Sequence, residues 1–346
     1  MIIIIQSQLP HYRRAFFNRL CELEDVLIIH SGKPIVTATD RFTEIIVQGK
    51  EIGPFNIQLG LGDVIKTYKP SAVIAAFDIR NLMSFVLKVR LRSKVKWIWW
   101  GLDKGSSGTA LRIKTWLARG SSPIVFYNGT VRDLFAARGL ATDKLFVANN
   151  TFHVENHRSF HEHKLKDIFI NVGTLDPRKQ NDVLIRAFRA VLEKTGRDLS
   201  LYLIGDGRDR DVLTSLIYEL KLSDRVFLTG KIEDPAVLEG YYARALASVS
   251  FGQAGLAVLQ SMAFGVPFVT KLSAVSGGEK HNIIDDYNGI FCNDDPRSLE
   301  QAMLRLAENE ATARTMGANA YTYYRDRASV DGMVEGFRAA LACGAN

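Results

Sequence analysis

Short apolar runs alternate with longer segments of helical periodicity along the whole chain. In the first half the apolar runs predict strands at Ile2–Ile5, Val26–His30, Glu44–Gln48, Ala72–Ala76, Lys96–Trp100, Ile124–Tyr127 and Leu145–Ala148. Helical patterns between them cover residues 13–22, 80–92, 110–119 and 130–138. Strands that alternate with helices are typical of a parallel sheet covered by helices.

The same alternation restarts near residue 168, after a segment of a different kind. Strands are predicted at Ile168–Val172, Leu201–Ile204, Val226–Leu228, Ala247–Phe251 and Phe268–Thr270, and helices begin near residues 181, 209, 235 and 255. The preceding segment, TFHVENHRSFHEHKLKD at 151–167, has four histidines and few aliphatic residues. Metal binding is one explanation, but no carboxylate or cysteine completes an obvious site, so a solvated linker is favoured.

We therefore expect an α/β fold of two Rossmann-like, doubly wound domains that face each other across a cleft. The predicted parts are a domain at 1–151, a linker at 152–166, a second domain at 167–325 and a C-terminal helix at 326–346 that packs back on the first domain. Ligands of open α/β sheets bind outside the carboxyl ends of the strands.

Composition narrows the setting. The chain has 346 residues, of which 47% are hydrophobic and 23% charged, and no apolar run reaches the roughly 18 residues of a membrane span. The run MIIIIQ lacks the basic start and cleavage site of a signal peptide, so it predicts a buried first strand and a cytoplasmic protein. Cys21, Cys292 and Cys343 have no pairing or metal-ligand spacing, and we expect them to be reduced.

The positive charge lies in the first half. Residues 1–150 contain 21 Lys and Arg against 11 Asp and Glu, whereas the remainder contains 23 against 26. Basic residues alternate with apolar ones in LKVRLRSKVKW (87–97) and LRIKTWLARG (111–120), a pattern suited to an anionic membrane surface. A solvated amphipathic helix is the alternative; nucleic acid is not expected, because no zinc-finger, RNP-like or helix-turn-helix motif is found.

Three segments of the second half contain residues suited to binding phosphate. In NVGTLDPRKQ (171–180), Arg178 and Lys179 lie at the start of a helix, where cations suit a bound phosphate better than the helix dipole. LYLIGDG (201–207) places glycines after a strand, which indicates either a tight turn or a ligand site. In FGQAGLAVLQSMAFGVPFV (251–269) a helix begins near Gly255 without a capping side chain, so a bound anion could contact its free N–H groups.

Taken in order, these motifs resemble the donor-binding half of glycosyltransferase family 4, which has the GT-B fold. The resemblance covers residues 168 to about 305 and includes VFLTGKIEDPAVLEGYYARA and SGGEKHNIIDDYNGIF; LPHYRRAFFNRL and IWWG in the first half are similar to bacterial members that build surface polysaccharides. It implies transfer of a sugar, with retention of configuration, from a nucleotide-sugar substrate to a lipid-linked glycan in exopolysaccharide, capsule or lipopolysaccharide assembly. It also implies that no cofactor or metal is required.

The resemblance also implies roles for individual residues. Lys179 would bind the donor diphosphate with help from Arg178, and the N–H groups of Gly255 and Leu256 would hold the phosphate. The other implied donor contacts are Gly173, Thr174, Gly205, Asp206, Gly207, Lys231, Ile232, Gln253, Gln260 and Glu279, with Asn282 beside Glu279 near the sugar. On the acceptor side we expect His11 and Arg13, and Asp103 as a sugar-orienting or proton-accepting group.

This sequence departs from the family pattern at three of these positions. Thr174 replaces an arginine, and the family's two glutamates correspond to Gly252 and Gln260. Gln260 can still accept a ribose hydroxyl hydrogen bond, although more weakly than a carboxylate, and Gln253 is adjacent to the lost first glutamate. Two alternatives to an active transferase therefore stay open: a non-catalytic sugar-nucleotide-binding partner subunit, and a GT-B nucleotide-sugar epimerase.

Overall fold

The computed structural model describes residues 1–91, 95–101, 103, 108–120, 122–155, 157–232 and 234–344. The chain divides into two contact units, Met1–His153 with Ser329–Asn346, and Val154–Ala328. Each unit is an α/β structure, and the expectation of two parallel-sheet domains is confirmed.

The first unit contains a seven-stranded sheet and a hairpin. Its strands are β1 Ile2–Ile5, β2 Val26–His30, β3 Thr43–Ile46, β4 Gly49–Ile52, β5 Phe55–Gln58, β6 Ala72–Ala76, β7 Lys96–Trp100, β8 Ile124–Phe126 and β9 Leu145–Val147. Its helices are α1 Arg14–Leu20, α2 Leu61–Tyr68, α3 Leu82–Leu91, α4 Gly108–Ala118 and α5 Gly129–Ala136. The sheet order is β3-β2-β1-β6-β7-β8-β9, with every pair parallel, while β4 and β5 form a separate antiparallel hairpin.

The second unit repeats this plan with six strands. They are β10 Ile168–Val172, β11 Ser200–Ile204, β12 Val226–Gly230, β13 Ala245–Val249, β14 Phe268–Lys271 and β15 Gly289–Cys292, in the parallel order β12-β11-β10-β13-β14-β15. The helices are α6 Asn181–Lys194, α7 Arg210–Glu219, α8 Pro235–Arg244, α9 Ala257–Ala263, α10 Pro296–Glu308 and α11 Glu310–Tyr323. A last helix, α12 Val330–Ala342, packs on α1 and β9 of the first unit.

Both sheets are buried on both faces, which explains their continuous apolar strands. All four residues of β1 are buried, and successive strand residues supply two cores on opposite faces of the first sheet. Phe16 of α1 and Phe337 of α12 belong to one of these cores, with ring centroids 5.1 Å apart. In the second unit, Phe169 of β10 and Phe188 of α6 lie in the main core.

The boundaries differ from those predicted. The segment expected to be a solvated linker, 152–166, lies mostly in the second unit, which begins at Val154. The C-terminal segment that belongs to the first unit begins at Ser329, whereas the predicted start was 326. Phe160 stacks on Phe264 at 5.8 Å, its backbone N–H donates to the Phe264 carbonyl, and Arg314 donates to the His161 carbonyl. The stacked aromatic ring and the hydrogen bonds of the backbone fix the segment to the domain that follows it.

Candidate donor site

The loops after β10 and β11 are held together by backbone contacts. The Gly173 N–H donates to the Ile204 carbonyl, and the Leu175 N–H donates to the Asp206 carbonyl. A Cβ on Gly205 would lie 1.9 Å from the Gly173 carbonyl oxygen, and one on Gly207 would lie 2.2 Å from the Leu175 carbonyl oxygen. Gly205 also has a φ of 147°. Only glycine permits this packing, which brings two loops to the carboxyl edge of the sheet with no side chain between them.

Lys179 lies against this glycine layer. It ends a short 3-10 helix, Pro177–Lys179, and its Nζ would be 3.3 Å from a Cβ on Gly173. Among the described residues, the ammonium group has no hydrogen-bond or ion-pair partner. Burial, and then the charge of Arg178, lower the pKa of Lys179 below its ordinary value. A half-buried cation without a protein partner is suited to an anionic ligand.

Arg178 is oriented differently. Its side chain is exposed and its Nε lies 2.9 Å from the Asp176 carboxylate, which also accepts a hydrogen bond from the Arg178 N–H as the helix cap. Hydrogen bonds from Arg178 lower the pKa of Asp176, and Arg208 lies 3.4 Å from the same carboxylate. The sequence reasoning overlooked Asp176, although Asp before Pro at a helix start is a recognisable cap signal.

The loop after β13 explains one of the departures from the family. The Gly252 N–H donates to the Lys179 carbonyl, and a Cβ on Gly252 would lie 2.1 Å from the Arg178 carbonyl oxygen. A glutamate at this position therefore has no room while the Lys179 loop keeps its place. Gln253 follows directly and pairs with Val275 in an isolated bridge.

The start of α9 lies next along the chain. The helix begins at Ala257, two residues after the predicted start, and its first turn has no side-chain cap. A Cβ on Gly255 would meet no atom within 4 Å. Leu256 is the N-cap residue of α9. Gln260 is 8% exposed, and its amide has no hydrogen-bond partner among the described residues. The uncapped N–H groups at the start of α9 and the Gln260 amide, which has no partner among the described residues, thus belong to the same short helix.

Glu279 and Asn282 belong to a buried turn after Gly278. Both are in a 3-10 helix, Glu279–Asn282, and both are buried. The Ser276 hydroxyl donates to Glu279, while Asn282 donates to the Glu279 carbonyl and accepts from the Tyr323 hydroxyl. Both ends of the Asn282 side-chain amide are therefore hydrogen-bonded to other groups of the protein.

The remaining predicted donor contacts are more exposed. Thr174 and Lys231 are exposed and Ile232 is half-buried, while the Gly205 N–H donates to the Gly230 carbonyl just before Lys231. Asp206 accepts from the Gly207 N–H and lies 3.7 Å from Arg210. These residues follow β10, β11 and β12, so the fold places them along one edge of the second sheet.

The residues predicted for the acceptor side, His11, Arg13 and Asp103, lie in the first unit. Arg13 is 8% exposed and is used within the fold, since it donates to Gln6 and to the Tyr127 hydroxyl and lies 4.4 Å over the Trp100 ring. A ligand at Arg13 would have to displace those partners, and its role on the acceptor side stays a prediction. His11 is exposed and lies in the same 3-10 helix as Arg13, His11–Arg13. Asp103 is ion-paired with Lys114.

Within the described residues, no group of three or more His, Cys, Asp or Glu side chains could hold a metal ion. The same residues contain no helix that is long and apolar enough to cross a membrane.

Comparison with known proteins places this arrangement in a family. Residues 154–323, nearly the whole second unit, match the family described as Glycosyl transferases group 1. The second unit of this chain is therefore a glycosyltransferase domain of that family. A galactosaminyltransferase of Campylobacter jejuni, N-acetylgalactosamine-N,N'-diacetylbacillosaminyl-diphospho-undecaprenol 4-alpha-N-acetylgalactosaminyltransferase, is 36% identical over 110 residues, which are 31% of this chain and 29% of that protein.

Solved GT-B structures agree over the full length. HepE of Anabaena, determined in complex with UDP, has a TM-score of 0.73 at 16% identity, over 99% of both chains. The lipopolysaccharide outer core galactosyltransferase WaaB has a TM-score of 0.70 at 14% identity, again over 99% of both chains. At these identities the likeness establishes the GT-B fold alone.

Proposed function

We propose that this GT-B chain is a retaining glycosyltransferase that moves a sugar from a nucleoside diphosphate donor to a lipid-linked glycan during bacterial surface-polysaccharide assembly. The observation that carries the donor assignment is Lys179, a half-buried ammonium without a hydrogen-bond or ion-pair partner in the described part of the chain, set against the glycine layer of Gly173 and Gly205. A diphosphate can approach that layer because no side chain projects from it.

In the proposed reaction, the bond between the sugar carbon C1 and the donor phosphate oxygen breaks while the acceptor oxygen bonds to C1 on the same face. The acceptor proton passes to the leaving diphosphate, so no dedicated base is needed. Lys179 stabilises the negative charge that develops on the diphosphate, and the free N–H groups near Gly255 and Leu256 donate to it. Arg178 and Asp103 are proposed in supporting roles, in which each would exchange its present carboxylate or ammonium partner for substrate.

Gln253, Gln260 and Glu279 are the proposed sugar and ribose contacts. Gln260 suits this role because the residue is 8% exposed and its amide has no hydrogen-bond partner among the described residues. We further propose that the diphosphate charge is met by the chain's own cations and N–H groups, without a metal ion.

The acceptor assignment rests on the relatives. The Campylobacter protein is named for a diphospho-undecaprenol acceptor, and WaaB for the lipopolysaccharide outer core. The matched segment covers 29% of the Campylobacter protein, so for this chain a lipid-linked glycan is a proposal.

A surface of exposed apolar residues on α3 and α4 supports the same proposal. On α3 the exposed residues Leu82, Val86 and Val89 recur every three or four positions, and α4 exposes Ile113 and Trp116, the latter at 69%. The Lys88 Nζ on α3 would be 3.4 Å from a Cβ on Gly120, so this lysine reaches the residues that follow α4.

Charge complements this apolar surface. Residues 82–120 contain nine Lys and Arg and a single acidic residue. Exposed apolar and aromatic groups among cations favour the interface of an anionic membrane. We propose that the chain is a peripheral protein of the inner face of the cytoplasmic membrane, bound through α3 and α4.

The donor assignment is tested by turnover. Release of nucleoside diphosphate is measured with a panel of nucleotide sugars, with and without EDTA, for the wild type, Lys179→Ala and Arg186→Ala, a matched removal of an exposed cation on α6. We expect a loss of about 100-fold or more in kcat/KM for Lys179→Ala alone, and no effect of EDTA. Undiminished turnover in Lys179→Ala contradicts the donor site, and a metal requirement contradicts the metal-free step.

The membrane assignment is tested by co-sedimentation with anionic vesicles. Trp116→Ala is expected to weaken vesicle binding, whereas Tyr218→Ala, which removes an aromatic side chain 80% exposed on α7, is not. Equal binding of both variants would show that α3 and α4 are merely solvated.

A second function is favoured by one observation. Gly252 leaves no room for the first family glutamate, and Gln260 stands at the second. A non-catalytic sugar-nucleotide-binding subunit would bind donors without turning them over, in every donor and acceptor combination tried.

A further inference from the structure

The first unit contains a cavity of about 600 Å³ at the carboxyl ends of β1, β2 and β6. Ser7 and Gln8 follow β1, Ser31 follows β2, and Asp78 follows β6. In the strand order, β2 lies on one side of β1 and β6 on the other, so the cavity is at the point where the connections change direction. Ligands of open parallel sheets bind at such points.

The β4–β5 hairpin forms one wall and is fixed to the sheet at several points. Gln58 donates to the Gln6 carbonyl at 2.8 Å and to the Ser31 hydroxyl at 3.1 Å, and the Asn56 N–H donates to the Arg80 carbonyl. A Cβ on Gly49 would lie 2.7 Å from the Ser31 Cβ, so glycine allows the hairpin to pack this closely. The wall is therefore in place before any ligand binds, which favours affinity.

The lining identifies the ligand class. The lining includes the amides of Gln8, Asn56 and Asn81, the carboxylates of Glu51 and Asp78, and Phe55, a residue that is 38% exposed. The one guanidinium, Arg80, is already paired with Asp78 at 2.6 Å. This lining has an excess of negative charge, so it disfavours a phosphate, while amides and carboxylates suit hydroxyl groups.

We propose that this cavity binds a neutral sugar of the acceptor glycan through its hydroxyl groups, and that the chain recognises its acceptor by that sugar rather than by the diphosphate of the lipid carrier. The proposal rests on the proposed transferase function. Asp78 and Glu51 accept hydroxyl hydrogen bonds, the amides donate and accept, and Phe55 packs on an apolar ring face. Burial raises the pKa of Asp78, but hydrogen bonds from Arg80 outweigh it, so this carboxyl remains ionised.

The test is saturation-transfer-difference NMR on the full chain with methyl glycosides of glucose, galactose, mannose, N-acetylglucosamine and N-acetylgalactosamine. We expect saturation of at least one glycoside, a reduction of about fivefold in the double variant Asn56→Ala/Asn81→Ala, and wild-type saturation in Gln48→Ala, which changes an exposed residue just before β4 outside the cavity. Glu51→Gln provides a second, more conservative variant should the double variant fail to fold.

Saturation of no glycoside, equal saturation in the cavity variants, or displacement by inorganic pyrophosphate would overturn the proposal. Binding of nucleoside diphosphates is measured on the same samples to separate the two claims. Nucleotide binding without glycoside binding overturns the sugar subsite and leaves the transferase proposal standing. Glycoside binding without nucleotide binding overturns the transferase proposal and leaves the sugar subsite standing.

Discussion

The carboxyl edges of the two sheets present different chemical groups. At the carboxyl edge of the second sheet, Gly173, Gly205 and Gly207 pack backbone on backbone, and Lys179 is held there without an ion-pair partner among the described residues. At the corresponding edge of the first sheet, polar side chains line a cavity, and the cation among them, Arg80, is already paired with Asp78.

Under the two proposals, one architecture serves two kinds of ligand. A diphosphate needs free N–H groups and unpaired positive charge, which bare backbone and a lone lysine supply. A neutral sugar needs many directional donors and acceptors, which amide and carboxylate side chains supply.

The largest effect is expected from Gly205→Ala. Its Cβ would meet the Gly173 carbonyl oxygen at 1.9 Å and its φ is 147°, so the free energy of unfolding of the second unit should fall by about 3 kcal/mol. Hydrogen exchange followed by mass spectrometry measures this unit by unit. Gly240→Ala on α8, where a Cβ meets nothing within 4 Å, is the matched control and should be neutral or stabilising. Equal protection in the two variants would contradict the close packing.

Arg13→Met is expected to rank second and to affect the other unit. It removes the partner of Gln6 and of the Tyr127 hydroxyl and the cation over Trp100, which should cost the first unit about 2 kcal/mol. Nucleotide binding should be unchanged. A fully stable variant with a raised KM for acceptor would contradict this structural role and support the predicted role of Arg13 on the acceptor side.

The two former glutamate positions should respond in opposite directions. Gln260→Glu places a charged acceptor where an unpaired amide stands, and donor affinity should rise about fivefold. Gly252→Glu should abolish donor binding, because its Cβ would lie 2.1 Å from the Arg178 carbonyl oxygen and displace the Lys179 loop. Isothermal titration with the preferred donor measures both; tolerance of glutamate at 252 would show that the loop can move.

The smallest effect concerns pH. Since burial and Arg178 lower the pKa of Lys179, the protonated form is lost at a lower pH than in an ordinary lysine. The kcat/KM for donor, which reports the free enzyme, should therefore decline on the alkaline side, and Lys179→Arg should move that decline to higher pH. An alkaline limb that is the same in both proteins would assign it to another group.

Periodicity predicted the parallel sheets well, because strands such as β1 and β10 are buried on both faces and their apolar runs are continuous. The β4–β5 hairpin was missed, since the residues of β4 are all exposed and carry no apolar pattern. The sequence analysis also placed α9 two residues early, at a turn that the apolar pattern does not distinguish from helix.

At the candidate site, motif order predicted which loops approach the sheet edge but not how each side chain is used. The contacts of Arg13 within the protein were not predicted, because its partner Tyr127 is 114 residues away in the sequence. Likewise, nothing in the sequence around Gly252 shows that the Arg178 carbonyl fills the space beside it. Such long-range contacts decide a residue's role, and local patterns do not contain them.

The contrast between the two sheet edges is tested most directly by NMR of the full chain labelled with ¹⁵N-glycine. Uridine, guanosine and thymidine diphosphates are titrated separately, followed by the methyl glycosides. The account predicts that a nucleoside diphosphate shifts the amide signals of Gly173, Gly205, Gly207 and Gly255 and leaves those of Gly49 and Gly53 unchanged, whereas a glycoside alone does the opposite. A nucleoside diphosphate that shifts only the hairpin glycines would contradict the account.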